Sequence, residues 1–352
     1  MDMSTRIRLM KPGRQFASDN QSGMCPEVGE ALLRANTGHM AGYGEDEHTA
    51  HASDLVRQAL GVEAEVFFVC TGTAANALAL AACAQSFNGV FCHESAHIET
   101  DECGAPEFFS GGAKLIQVKG EHGRIDLTCL RELVTRRSDL HFPRPGVLSL
   151  SQSTELGTIY DREHLRLLGE TARQLGLRVH MDGARFANAV TSLGLPPAAI
   201  LHAAAVDVLC FGGAKNGGMI GEAVVFLNQS LARDFEWRCK QAGQLVSKMR
   251  FLAAQWEGLL KDGAWLRHAA HANAMAQRLA ARLGAAGIAT AYPVQANAVF
   301  VELTAAQAMA VRAKGWIFYS FIGGAARFVC AWDTQAAWID ALADDLVAVL
   351  HA

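Results

Sequence analysis

The stretch EVFFVCTGTAANALALAACAQSFNGVFCHE, residues 65–94, reads as strand, turn, helix and strand in succession. Bulky β-branched and aromatic side chains crowd 65–70 and return at 89–94, in apolar runs of strand length. Between them, 73–86 is rich in Ala and Leu and long enough for a helix. A strand, a helix and a second strand in that order make the unit of a parallel crossover.

The same alternation continues outward to residue 228. Strands are predicted at 114–118, 146–151, 177–182, 207–211 and 223–227, with helices at 127–137, 162–176 and 196–204. This predicts an α/β architecture, a mainly parallel sheet with helices on both faces. After Asn228 the texture changes. Two long helical regions, 229–263 and 268–287, precede three short strands (297–303, 316–321 and 326–332) and a terminal helix. The expected organisation is an N-terminal segment, 1–45, contributing to the active site, a large α/β domain, 46–250, and a smaller α+β C-terminal domain, 251–352. There is no internal repeat and no low-complexity linker.

Bulk composition narrows the function. The chain has 352 residues, 51% of them hydrophobic and 19% charged, which suits a globular protein with a large core rather than a disordered one. A formal net charge of -4, with no basic run, speaks against nucleic acid as a partner. No run approaches the roughly 18 apolar residues of a membrane span, and the N-terminal MDMSTRIRLMKPGRQ lacks the apolar core of a signal peptide. The nine cysteines are scattered, without a CxxC pair, and read as buried free thiols of a reducing compartment. A cytoplasmic protein is expected.

In an open α/β sheet, ligands bind beyond the carboxyl ends of the strands, and four such ends carry unusual residues. After strand 65–70, Gly72 and Thr73 sit where free N–H groups and a hydroxyl could bind phosphate; Thr71 or Thr73 acting only as a helix cap is the plainer alternative. After 89–94 come His97 and Glu102, a polar pair that alone could be structural. Strand 177–182 ends in Asp182, followed by Gly183 and Arg185, which alone could be a local ion pair. Finally, DVLCFGGAKNGGMIGEAVVFLN (207–228) sets Lys215 among glycines between two core strands; a partly desolvated lysine there becomes a nucleophile toward carbonyls. Together they supply the parts that hold pyridoxal 5'-phosphate (PLP): an amine for its aldehyde, a carboxylate for its ring nitrogen, a helix N-terminus for its phosphate.

The segments QFASDNQSGMCPE, GHMAGYGEDEHTA, TGTAANALAL, SAHIETDECGAPEFFS, HMDGARFANA, CFGGAKNGG, RCKQAGQLVSKMRFL and ARFVCAWDT together resemble the fold-type-I PLP enzymes of the threonine aldolase (β-eliminating lyase) family. The likeness looks strongest to bacterial low-specificity L-threonine aldolases and spans nearly the whole chain. It implies a PLP-dependent transferase-like large domain, with Lys215 as the Schiff-base lysine and Asp182 as partner of the pyridine nitrogen. It further implies Gly72 and Thr73 on the phosphate and His97 stacked on the ring near the substrate hydroxyl. Arg327, Ser18 and Arg185 would hold the substrate carboxylate, with Glu102 and Tyr43 close by. Lys240 and Arg250, on the long helix, match basic residues that reach a neighbouring subunit's cofactor phosphate, which implies at least a homodimer and, as is usual in the family, a homotetramer.

In one respect the chain departs from some relatives. The loop SLSQSTELGTIY (149–160) has Gln152, Thr154 and Glu155 where they carry a second histidine. The catalytic base therefore stays open among His97, Glu102, Glu155 and a water between them. The implied reaction is retro-aldol cleavage of a β-hydroxy-α-amino acid, taking threonine to glycine and acetaldehyde. Alternatives are another fold-type-I reaction (β-elimination, racemisation, transamination), a non-catalytic PLP-fold binding protein, or a PLP-free Schiff-base aldolase, which would not need Asp182 and the Gly72–Thr73 turn.

Overall fold

A computed structural model describes residues 14–320 and 324–352. The start of the N-terminal stretch (1–13) and Phe321, at the end of the expected strand 316–321, lie outside them.

Seven strands form the main sheet: β1 (Glu65–Val69), β2 (Asn88–His93), β3 (Lys114–Val118), β4 (Arg144–Ser151), β5 (Arg178–Gly183), β6 (Val208–Gly212) and β7 (Glu222–Phe226). Their order is β1-β7-β6-β5-β4-β2-β3. All run parallel except β7, which pairs antiparallel with both β6 and β1. The reversal follows from chain length. Only residues 213–221 join β6 to β7, fewer than the dozen or so a parallel crossover needs. β1 and β2, consecutive along the chain, lie with four other strands between them. Their connecting helix, Gly72–Cys83, lies across the central strands and is buried from Ala75 to Ala81. Its run of alanines allows that close approach.

The opposite face carries most other helices. Val28, Val56, Leu168, Ile200, Leu252 and Trp256 belong to one continuous core there. Capping follows the sequence: Asp46, Asp126 and Asp161 each accept the N–H three residues on, starting helices Glu47–Leu60, Leu127–Thr135 and Arg162–Gln174.

Beyond the sheet, the expected long helix 229–263 is broken. Phe235–Gln241 and Met249–Leu260 are separate helices, parted at Gly243, whose φ of 71° closes the first. Gln244 then turns back to accept the Cys70 N–H at 2.9 Å, tying the break to the end of β1. Lys240 and Arg250 therefore stand on two helices rather than one. Met249–Leu260 packs into the large core, so the expected boundary at 250 falls at the head of a helix that completes that core. The second core begins along Ala264–Ala285, with Ala276, Leu279 and Leu283.

That core lies against a three-stranded antiparallel sheet, β8 (Ala298–Val301), β9 (Tyr319–Ser320) and β10 (Ala326–Val329), in the order β8-β10-β9. Helices Ala305–Ala313 and Ala336–Leu350 pack with it. Residues near the N-terminus join the two sheets: Gln15 bridges Ile317, Phe16 enters the small core, and Asp19 reaches Arg185 just beyond β5. All nine cysteines are free, and among the described residues no helix is long and apolar enough to cross a membrane.

Candidate active site

The carboxyl ends of β1, β4, β5 and β6 face one cavity with about 510 Å³ of empty space, mouth included. Gly72, Asn76, His97, Asp182, Arg185 and Lys215 line it, with Ser151, Ser153, Glu155 and Glu222.

Lys215 sits on a single helical turn, Ala214–Asn216, in the loop between β6 and β7. Gly217 and Gly221 take φ values of 101° and 100°, conformations that side chains disfavour, and so let the chain reverse twice within the loop. A Cβ on Gly212 would collide with the Ala184 carbonyl, so glycine there lets β6 pass close to the turn after β5. Burial lowers the Lys215 pKa, helped by the Arg185 charge and opposed by Asp19, Asp182 and Glu222. A larger free-base fraction results, which suits an amine that must attack a carbonyl.

Asp182 ends β5. Its Oδ1 accepts the Ala184 N–H at 2.9 Å and its Oδ2 accepts Asn76 Nδ2 at 2.8 Å. Burial pushes its pKa upward, but the charges of His97 and Lys215 with these hydrogen bonds outweigh it, so the carboxyl is held below the ordinary value. Asp182 stays ionised through the neutral range.

His97 begins the short helix after β2. Its Nδ1 lies 2.8 Å from Glu102 Oε1, leaving Nε2 without a hydrogen-bond partner among the described residues, and its backbone N–H donates to Glu155 Oε1 at 2.9 Å. The bond to Glu102, whose side chain is fully buried, raises the His97 pKa against desolvation. Burial raises Glu102, and it raises Glu155 together with the Asp182 charge.

At the first strand end, Thr71 is the helix cap, accepting the Ala74 N–H at 3.1 Å. The Gly72 and Thr73 N–H groups, in the first turn, have no acceptor within the helix, and Gly72 lines the cavity.

Arg185 is already engaged, its Nε and Nη2 bonded to the two oxygens of buried Asp19 at 2.7 and 2.8 Å. The edge expected to grip a substrate carboxylate is therefore taken. Removing either partner strands a buried charge, at about 3–5 kcal/mol in comparable pairs. Ser18 is used locally, its Oγ accepting the Asn20 N–H at 3.2 Å. Arg327, on β10, shares a small adjoining cavity with Arg185 and Glu155 and donates to the Ala17 carbonyl at 3.2 Å. Burial, with Arg185 nearby, pulls its pKa down to about 10.

Of the expected residues, Ser18, Thr73, Glu102 and Arg327 are not among those lining this cavity, and Tyr43, Lys240 and Arg250 lie elsewhere on the chain. Tyr43 is exposed, with the Lys240 ammonium 4.5 Å above its ring, and Arg250 donates to the Thr37 and Gly38 carbonyls at 3.3 Å. Conversely, the site contains residues the sequence reading passed over: Asp19, Asn76, Ser153 and Glu222. Two were signalled by a polar residue breaking an apolar run, Asn76 among alanines and leucines and Glu222 at the head of AVVFL. Glu222 accepts the Gly213 N–H at 2.6 Å, and burial pushes its pKa up to about 7 against that bond and the Lys215 charge.

A buried lysine and a strand-end carboxylate in one cavity, beside a helix N-terminus at the edge of a mainly parallel sheet, match a fold-type-I PLP-enzyme architecture. The β-eliminating lyase family model matches residues 15–306, and the chain belongs to that family. It is 52% identical to the low specificity L-threonine aldolase of Pseudomonas sp. (strain NCIMB 10558), over 96% of this chain and 99% of that one. A threonine aldolase structure from Leishmania major superposes with a TM-score of 0.88 at 30% identity, covering 94% of this chain and 98% of its own. A serine palmitoyltransferase from S. paucimobilis with bound PLP–myriocin, 17% identical, shares the fold with a TM-score of 0.71 over 96% of this chain and 87% of its own.

Proposed function

We propose that this chain is a PLP-dependent aldehyde-lyase that cleaves L-threonine, L-allo-threonine and related β-hydroxy-α-amino acids such as phenylserine to glycine and an aldehyde. The observation that carries the reading is the pairing of Lys215 and Asp182 across one cavity, with His97, bonded to Glu102, on its wall. The cavity walls also suit a polar ligand. Among the described residues, Asn76 Oδ1, Ser153 Oγ and Glu155 Oε2 are buried there without a hydrogen-bond partner, and such atoms incur a desolvation cost until something bonds them.

PLP, when bound, supplies an aldehyde for amines and a protonated ring that accepts the electron pair released at the substrate's α-carbon. The chain's residues do the rest in this reading. Lys215 would hold the aldehyde through its amine. Asp182, kept ionised, would pair with the ring nitrogen. Gly72 and Thr73 would bind the phosphate. His97, its Nδ1 held by Glu102, would stack on the ring and offer Nε2 to the substrate hydroxyl to take its proton, a role typically worth 10²–10⁴ in rate. Arg327 holds the substrate carboxylate, with Ser18 and Arg185 beside it. Tyr43, Lys240 and Arg250 would complete the site of a neighbouring copy, which makes the working unit at least a homodimer and, in this reading, a homotetramer. A cytoplasmic location suits the nine free thiols.

Aldehyde release tests the reaction. Protein supplied with L-threonine, L-allo-threonine or phenylserine should give glycine and aldehyde in equal amounts, dependent on added PLP after its removal. Ammonia and a keto acid instead would indicate elimination or transamination. Arg327→Ala should raise KM about 10–100-fold, the worth of a charge-assisted carboxylate contact, with kcat changed far less. An unchanged KM would take Arg327 out of the substrate site.

A further inference from the structure

Asn76 is the one strongly polar side chain in the buried part of helix Gly72–Cys83, and it is 2% exposed. Its Nδ2 donates to Glu102 Oε1 and to Asp182 Oδ2, both at 2.8 Å. Two carboxylates dictate how the amide must lie. Turned round, its oxygen would face two acceptors with no proton between them, whereas the –NH₂ has one hydrogen for each. Glu102 Oε1 also bonds His97 Nδ1 at 2.8 Å. A hydrogen-bonded row, His97–Glu102–Asn76–Asp182, therefore joins the cavity's histidine to its strand-end carboxylate through a side chain that does not titrate. One ligand atom from each of His97, Glu102 and Asp182 lies within 4.8 Å of the others. Carboxylates that close tend to share a proton unless fixed donors stabilise both charges.

We propose that Asn76 is a positioning residue that holds Glu102 and Asp182 apart and separately ionised, so that protons moving at His97 do not reach the carboxylate paired with the cofactor's ring nitrogen. The proposal rests on the reading of the cavity as a PLP site. Nothing else nearby replaces the amide. Lys215 from the β6–β7 loop, Glu222 at the head of β7, Glu155 after β4, Arg185 after β5 and Cys210 on β6 act on this cluster through their charge or potential charge. Among the described residues none of them hydrogen-bonds the carboxylate of Asp182 or of Glu102; apart from Asn76, only the Ala184 N–H and His97 do.

Asn76→Ala suits the helix, since Ala is its best former and Ala75 and Ala77 already flank the position. Asn76→Ser keeps one donor and serves as the second variant if the first fails to fold. In cofactor-free protein labelled with carbon-13 at Asp and Glu carboxyls, the Asp182–Glu102 pair should protonate at a pH about one unit or more higher in Asn76→Ala, with Asn76→Ser in between. In reconstituted enzyme, a kcat deficit of about 10–100-fold at pH 6 should shrink at least threefold by pH 9, because base strips the shared proton. Unmoved carboxyl midpoints, or a deficit that is the same at both pH values, would mean that Asn76 only fills space and would overturn the proposal. The carboxyl titration needs no PLP, so it judges Asn76 by itself. Lack of any Lys215 adduct in the unsubstituted protein would count against the assigned function instead.

Discussion

Lys215→Ala protein, incubated with PLP and reduced with borohydride, is expected to carry no covalent adduct and to release aldehyde at least about 10³-fold more slowly than the parent. The reason is local. Lys215 is the lysine that lines the cavity, and burial there lowers its pKa and frees its amine. Loop reversals at Gly217 and Gly221 leave little latitude for another residue to take its place. Mass spectrometry of the reduced protein decides the matter. An adduct retained on Lys240 or any other lysine would refute the assignment. Circular dichroism guards against simple unfolding, which is not expected, because removing a partly desolvated cation relieves a cost rather than creating one.

Asp182→Ala should be nearly as damaging, by a different route. In the proposed site the substitution removes the negative charge that would face the ring nitrogen, so kcat should fall at least about 10²-fold, with PLP held more weakly. It also leaves the Ala184 N–H and one Asn76 hydrogen without their acceptor, at about 1–3 kcal/mol for each buried group left unpaired. Asp182→Asn keeps the shape and separates the two effects. Its kcat should stay low while its stability recovers only in part, because the amide offers one oxygen to two donors, the Ala184 N–H and Asn76 Nδ2. Because Asp182 is held below the ordinary carboxyl pKa, it is already fully ionised at pH 7. Raising the pH therefore cannot add charge at this position, and the deficit of either variant should persist from pH 6 to 9. An unchanged kcat in either variant would count against PLP chemistry in this cavity.

Much of the fold was legible because strands and helices announce themselves by local pattern. The runs at 65–70, 89–94 and 207–211 became β1, β2 and β6 with ends moved by a residue or so. Strand order was not legible, since it depends on where each helix finds a face to bury. Helix Gly72–Cys83 crosses the middle of the sheet and leaves β1 and β2 far apart. The break at Gly243 was hidden for a similar reason. The apolar spacing of 229–263 is helical throughout, but Gln244 is drawn aside to satisfy the end of β1.

The site divides in the same way. Lys215, Asp182, His97 and Gly72 could be named from their places at strand ends, because ligand chemistry in an open sheet gathers there. The partners of Arg185 and Asp182 could not. Asp19 lies 166 residues from Arg185, and Asn76 lies 106 from Asp182, and no local pattern records such a pairing. A fork free to bind substrate and a fork already held by Asp19 look identical in one dimension.

By itself, then, the sequence determined which residues carry the reactive groups, because amines, carboxylates and glycine turns are properties of residue type and local chain geometry. Only the tertiary structure decided how those groups are charged and aimed. The ionisation of Asp182, the lowered basicity of Lys215 and the duty of Arg185 depend on burial and on neighbours from distant segments. Those are set when the sheet closes and not before.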